Sequence, residues 1–209
     1  MILTALIGMF VSGPVPMPAP ALTASTVVTS AATELYREMR LDGVLDEAVF
    51  AAAYGSVQGR GLAARVVAIA DMSQPSTSKR LYVFDLDKKE LVLRTWVAHG
   101  SGSGDLMAER FSNRDGSHAT SLGLYRVGAR IQSPKHGPAL LLEGLDRGVN
   151  DNARAREVIV HSAPYVSAEF VAKNGRLGRS WGCPAVPAAD IATVITLLGD
   201  GGLLYVYGA

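Results

Sequence analysis

Leu81-Tyr82-Val83-Phe84-Asp85-Leu86-Asp87-Lys88-Lys89-Glu90-Leu91-Val92-Leu93-Arg94-Thr95-Trp96-Val97-Ala98 sets two runs of β-branched, aromatic and aliphatic side chains around one polar connection. Such runs predict strands, and the short Asp87-Lys88-Lys89-Glu90 link predicts that they pair as an antiparallel hairpin. Upstream, Val66-Val67-Ala68-Ile69-Ala70 reads as another strand. Downstream, the same pattern recurs over Gly123 to Val127, Ala139 to Glu143, Glu157 to His161 and Leu203 to Tyr207. One helix is expected over about Pro187 to Leu198, with Pro187 at its start, where a missing N–H costs nothing. The expected fold is mainly β, a sandwich or barrel with peripheral helices.

Toward the N-terminus the pattern changes. Thr33-Glu34-Leu35-Tyr36-Arg37-Glu38-Met39 opens an amphipathic helix, Leu45 to Tyr54 reads as a second, and Gly43 separates them. They are expected to pack on the sheet or near a cleft, with a small partner-docking unit as the alternative. The first charged side chain is Glu34, and the apolar start Ile2 to Val11 followed by small residues around Ala19-Pro20-Ala21 and Leu22-Thr23-Ala24 reads as an export leader. No Lys or Arg precedes that apolar run, so a misassigned start, a tethering anchor and a plain tail stay open beside it. The expected organisation is a leader over 1–24, a linker with N-terminal helices over 25–63 and a catalytic domain over 64–209, with no stable membrane span once the leader is removed.

Twenty basic against 19 acidic side chains leave a net charge of +1. That balance lacks the basic surplus that polyanion binding requires, so nucleic acid is not expected as a partner.

Cys183 is the only cysteine, and it stands in Gly178-Arg179-Ser180-Trp181-Gly182-Cys183-Pro184-Ala185, a turn bounded by glycine and proline. A lone cysteine in an exported chain is a buried small hydrophobe, an intermolecular link or a nucleophile. Upstream, the apolar run Val158-Ile159-Val160 delivers His161 and Ser162 at a strand end. An imidazole beside a thiol takes its proton and leaves a nucleophilic thiolate, the minimal kit for acyl transfer.

Ile159-Val160-His161-Ser162-Ala163-Pro164-Tyr165, followed by Gly175-Arg176-Leu177-Gly178-Arg179-Ser180-Trp181-Gly182-Cys183-Pro184-Ala185, resembles the core of the L,D-transpeptidase (YkuD-like) family, in a divergent branch with Trp-Gly-Cys. The likeness extends through His99-Gly100-Ser101-Gly102-Ser103-Gly104, Phe111-Ser112-Asn113, Ser121 to Tyr125, His136-Gly137, Gly144-Leu145 and Asn150-Asp151, over roughly residues 64 to 209. It implies a cysteine acyltransferase acting on peptidoglycan stem peptides. Cys183 is then the nucleophile, His161 the base, the Ser162 carbonyl its orienting group, and backbone N–H groups beside Gly182 an oxyanion site. The donor bond would join the third-position diamino acid to D-alanine, and attack by a second stem would give a 3-3 crosslink. Attack by water instead would make the same site an L,D-carboxypeptidase, and a wall-binding module without turnover is the third reading. The family likeness also implies a place at the cell envelope, periplasmic or exported.

Most members of the family carry Ser/Thr-His-Gly-Cys and an Asn or Arg two residues after the cysteine; here those places hold Trp181 and Ala185. Substrate recognition is therefore expected to differ, with Trp181 as an apolar or stacking wall, Ser180 beside it, and Arg179 or Arg176 supplying charge. The family element His136-Gly137 gives His136 a supporting binding role. The run from Gly100 to Gly104 lacks the Lys-Ser/Thr ending of a phosphate loop and reads as a flexible rim. His118 and His136 have no partners at metal-ligand spacings, so neither metal nor cofactor is expected. Gly144 to Arg156 mixes turn formers with both charge signs and reads as a solvated loop without the spacing of a calcium site.

Overall fold

A computed structural model describes residues 24–199 and 201–208. Strands β1 (Val66–Asp71), β2 (Leu81–Asp85), β3 (Glu90–Thr95), β4 (Gly123–Ser133), β5 (Gly137–Gly144), β6 (Ile159–Ser162), β7 (Ala185–Val186) and β8 (Leu203–Tyr207) form one sheet in the order β3-β2-β1-β8-β4-β5-β6-β7. The backbone of Ala98, just beyond β3, bridges Ala185 of β7, so the two ends of the sheet meet and it nearly closes on itself. Closure removes most of the unpaired edge that an open sheet exposes. The fold is mainly β, as the hairpin sequence predicts, and β2 and β3 do pair antiparallel.

Both faces of β1 and β2 are buried, which is why their sequences read as continuous apolar runs rather than as an alternation. Ala68, Ala70, Leu81 and Val83 point into the interior cluster with Leu140, Leu142, Val160 and Leu204. Ile69, Tyr82 and Phe84 point outward and are covered by helices α1 (Ala24–Glu38) and α2 (Glu47–Gln58) through Tyr36, Met39, Val49, Phe50 and Ala53. The N-terminal helices thus pack on the sheet, the first of the two readings. α2 begins where Asp46 accepts the Ala48 N–H at 2.8 Å, an N-cap that satisfies one of the helix's unpaired donors. α1 starts at Ala24, nine residues before Thr33, so helix occupies much of the stretch expected to be linker. The leader expected over 1–24 lies outside the described residues except for its last position.

The helix expected from Pro187 is shorter. Asp190 N–H donates back to the Pro187 carbonyl in a turn, and α4 runs from Ile191 to Leu198, placing Ile191, Val194 and Leu198 in the interior core. A further helix, α3 (Ala168–Asn174), buries no residue and is held by its ends, Ser167 accepting the Phe170 N–H and Gly175 closing it at φ 70°. Among the described residues no helix is long and apolar enough to cross a membrane.

Candidate active site

β6 lies between β5 and β7, with His161 opposite Ala139 on one side and Ala185 on the other. Pairing on both sides fixes its backbone and presents a nearly buried His161 side chain from a rigid strand. The ring Nδ1 lies 2.8 Å from the Ser162 carbonyl oxygen. A carbonyl can only accept, so Nδ1 carries the hydrogen and Nε2 keeps a free lone pair, as a general base requires. Burial holds this imidazole below its ordinary pKa; the Ser162 carbonyl opposes that, while His136 and Lys135 add to it.

The parallel register of β6 and β7 carries Cys183, two residues before Ala185, alongside Ile159. Its turn is built by Ser180, whose hydroxyl donates to the Cys183 carbonyl at 2.6 Å and accepts the Gly182 N–H at 3.1 Å. The Ser180 side chain, expected to face substrate, therefore spends its hydrogen bonds shaping the turn. Gly182 has φ 117°, and a Cβ there would sit 2.8 Å from the Ala119 carbonyl oxygen and 3.0 Å from the Arg156 guanidinium. Only glycine meets both conditions. Because its N–H is engaged by Ser180, Gly182 contributes conformation, and the Cys183 N–H is left as the turn's candidate oxyanion donor.

Cys183 and His161 line one cleft of about 700 Å³ together with Tyr165, His136, Trp181 and Arg156. The half-buried thiol lies 3.9 Å from the Glu157 carbonyl, which a left-handed Glu157 (φ 54°) aims at it. Burial pushes the thiol above its ordinary pKa, opposed by a hydrogen bond from the Ile159 backbone and by the charges of Arg156 and Lys135. With the thiol pushed up and the imidazole held down, the resting pair is neutral at neutral pH. Burial chiefly raises the Tyr165 phenol to about 12, so it stays protonated.

The other expected site residues separate into two groups. His136, at the β4–β5 turn, lies against His161 with ring centroids 3.9 Å apart, and Trp181 and Arg179 also line the cleft. Trp181 is 68% exposed, yet its ring stacks on His118 at 4.7 Å and carries the Lys135 ammonium 4.8 Å from its centroid. Arg179 donates to the Gly104 carbonyl and to Asp105. Arg176 is not among the lining residues; it donates to the Leu177 carbonyl and approaches Asp105 at 3.8 Å.

Three contributors escape a reading of the sequence. Arg156 sits in the run expected to be a solvated loop, but its guanidinium donates to the Ser112 and Ala119 carbonyls at 2.9 and 2.7 Å and backs the Cys183 turn. Arg80, fully buried, donates to the Val97 and Gln74 carbonyls and to His99 Nδ1 at 2.7 Å. His99 is therefore the neutral tautomer with hydrogen on Nε2, directed at the Gly104 carbonyl. The segment that Arg80 and His99 hold pairs with the Cys183 turn, the His99 carbonyl accepting the Ser180 N–H and the Ser101 N–H reaching the Ser180 carbonyl. The Gly100 to Gly104 run is accordingly no flexible rim. Gly100 N–H donates to Thr120, Ser103 is fully buried, and a Cβ on Gly102 would overlap the Ser117 carbonyl. Asn150, in the motif that precedes the His161 strand, is likewise structural, its amide donating to the Leu122 and Leu124 carbonyls. Among the described residues no group of three or more His, Cys, Asp or Glu is placed to hold a metal ion.

Comparison with known proteins returns one family: the L,D-transpeptidase catalytic domain, whose profile matches residues 43–207. Solved structures similar to this one include an L,D-transpeptidase from Mycobacterium smegmatis, 16% identical over 70% of this chain and 60% of that one with a TM-score of 0.43. An L,D-transpeptidase from Stackebrandtia nassauensis is 13% identical over 88% and 78% with a TM-score of 0.42. L,D-transpeptidase 3 from Mycobacterium tuberculosis, solved with a faropenem-derived adduct, is 19% identical over 69% and 60% with a TM-score of 0.41. The chain thus spans about 60% of the length of the first of these structures. No curated protein matches the sequence. A profile match across most of the chain, on a nearly closed β-sheet whose lone cysteine shares a cleft with a carbonyl-anchored histidine, makes this protein a member of the L,D-transpeptidase catalytic-domain family.

Proposed function

We propose that the protein is a cysteine acyltransferase acting on peptidoglycan stem peptides, with Cys183 as nucleophile and His161 as general base. One observation carries the reading: the only thiol shares an open cleft with an imidazole whose Nδ1–H is tied to the Ser162 carbonyl, which frees Nε2 for proton transfer. The neutral resting pair means that the proton moves as the sulfur attacks, not before. Cys183 Sγ bonds to the carbonyl carbon of the third-position residue and His161 Nε2 takes the thiol proton. The C–N bond to D-alanine then breaks, that proton passes to the departing amine, and a thioester remains. An acceptor amine attacks the thioester, His161 takes its proton, and the new amide forms as the sulfur is released and reprotonated. The Cys183 N–H stabilises the oxyanion in both halves; one such donor is typically worth about 100- to 1000-fold in rate. A substrate of this kind places the protein at the cell envelope.

The test is intact-protein mass spectrometry after incubation with purified tetrapeptide muropeptides. Wild type should gain an adduct equal to the donor less one alanine, and Cys183→Ala should gain none. Adding an acceptor amine then separates the products: a crosslinked dimer means transpeptidation, and tripeptide alone means L,D-carboxypeptidase action. No adduct on folded wild type would leave the wall-binding reading.

A further inference from the structure

Three cations line the cleft, and two of them are occupied. The Arg156 guanidinium is held by the Ser112 and Ala119 carbonyls and reaches the Ser117 and Ser121 hydroxyls. Arg179 is held by the Gly104 carbonyl and by Asp105 at 2.5 Å. Lys135 differs. It stands at the tip of the β4–β5 hairpin, exposed, and among the described residues it makes neither a hydrogen bond nor an ion pair. Glu157, the one acidic residue lining the cleft, does not pair with it.

The Lys135 side chain is nevertheless placed. Its ammonium lies 4.8 Å from the Trp181 ring centroid, a cation–π contact that limits the stem's freedom, and Trp181 is itself braced by His118. It lines the same cleft as Cys183, His161 and His136, and its charge is felt at all three. An unpaired ammonium, held by an aromatic ring at the mouth of a cleft whose nucleophile cuts beside a terminal residue, suits an anion one residue beyond the scissile carbonyl. In the donor peptide that anion is the carboxylate of the departing amino acid. Here Trp181, where most of the family has histidine, acquires a role: it positions the lysine.

We propose, on the basis of the acyl-transfer reading above, that Lys135 is the specificity-determining residue that recognises the free terminal carboxylate of the donor peptide, held in place by Trp181. The consequence is a preference for donors that end at the leaving residue over donors in which that carboxylate is blocked or extended.

The test compares a tetrapeptide donor ending in D-alanine with its C-terminal D-alaninamide counterpart, measuring kcat/KM for formation of the Cys183 thioester in wild type, Lys135→Gln and Lys135→Arg. Wild type should favour the free carboxylate. Lys135→Gln should shrink that preference by about 5- to 20-fold, the range between an exposed and a cleft-bound charge pair, and Lys135→Arg should restore most of it. If Lys135→Gln slows both donors by the same factor, the lysine acts on the thiol or on the fold and the assignment is wrong. Wild type that acylates both donors equally well removes the assignment alone. Wild type that acylates with neither removes the acyl-transfer reading and this assignment with it.

Discussion

At the scale of single residues, the site is set by what burial does to two titratable groups. Cys183 is pushed up and His161 held down, both chiefly by desolvation, so no thiolate–imidazolium pair forms in the free protein at neutral pH. Alkylation of Cys183 by iodoacetamide follows the thiolate fraction, so its rate should keep rising with pH past the point where free cysteine levels off. A plateau already reached below neutral pH would contradict the neutral pair. With His161 as the proposed base, the opposite limb follows: an imidazole with a lowered pKa stays unprotonated to more acid pH than an ordinary histidine, so the acid fall of kcat/KM should lie below the usual imidazole value. Gly182 sets a geometric condition on the same turn. Gly182→Ala places a methyl against the Ala119 carbonyl and the Arg156 guanidinium at an unfavourable φ, and thioester formation should fall by at least about 100-fold if the Cys183 N–H moves off the oxyanion position, measured by adduct formation on protein shown to be folded.

At the scale of elements, the Cys183 turn is held from behind by the segment after β3, and that segment by the buried Arg80–His99 pair. Burial, helped by the Arg80 charge, lowers the His99 pKa to about 4. A histidine lowered in the fold binds its proton more readily in the unfolded chain. Its contribution is therefore complete above about pH 6.5 and is lost as pH falls toward 4, about 3 kcal/mol in all. His99→Gln keeps an acceptor for Arg80 and removes the titration. Urea unfolding of wild type and variant should show stabilities that converge as pH drops from 6.5 to 4, whereas parallel curves would remove His99 from the acid response. None of this was legible beforehand, because a lysine or arginine at a strand start looks solvated until the fold closes over it. Arg156 was missed for the same reason, among turn formers that imply solvent. What could be read was what periodicity and residue type carry: the hairpin, the strands β1 and β2, and a lone thiol and a strand-end histidine, which line one cleft. β7 has only two residues and α3 buries none, so neither leaves an apolar pattern to find. β4 runs to Ser133 instead of stopping near Val127, because a register shift between Val127 and Arg130 breaks the alternation that would have marked the rest.

At the scale of the whole molecule, the two largest hydrophobic clusters among the described residues share one sheet. The interior cluster holds β6 and the α4 face beneath the site, and the outer cluster joins α1 and α2 to the far sides of β1 and β2. Because Ala68 and Ile69 are neighbours in one strand yet belong to different clusters, loosening the outer layer should unfold the inner one with it. Phe50 is the most informative probe: it is 3% exposed, with ring centroids 5.7 Å from Phe84 on the sheet and 5.8 Å from Tyr36 on α1. Phe50→Ala should lower the unfolding free energy by about 3–5 kcal/mol and move a single transition to lower urea, seen alike by tryptophan fluorescence and far-ultraviolet circular dichroism. A separate docking unit would behave otherwise, losing helical signal in an early step while the Trp96 and Trp181 signals unfold at the wild-type midpoint. Thioester formation at low urea discriminates further, since the helices pack on β1 and β2, whereas His161 sits on β6 and Cys183 in the turn before β7. The folded fraction of Phe50→Ala should acylate Cys183 at close to the wild-type rate, and a loss of rate larger than the loss of folded protein would mean that the outer layer also shapes the cleft.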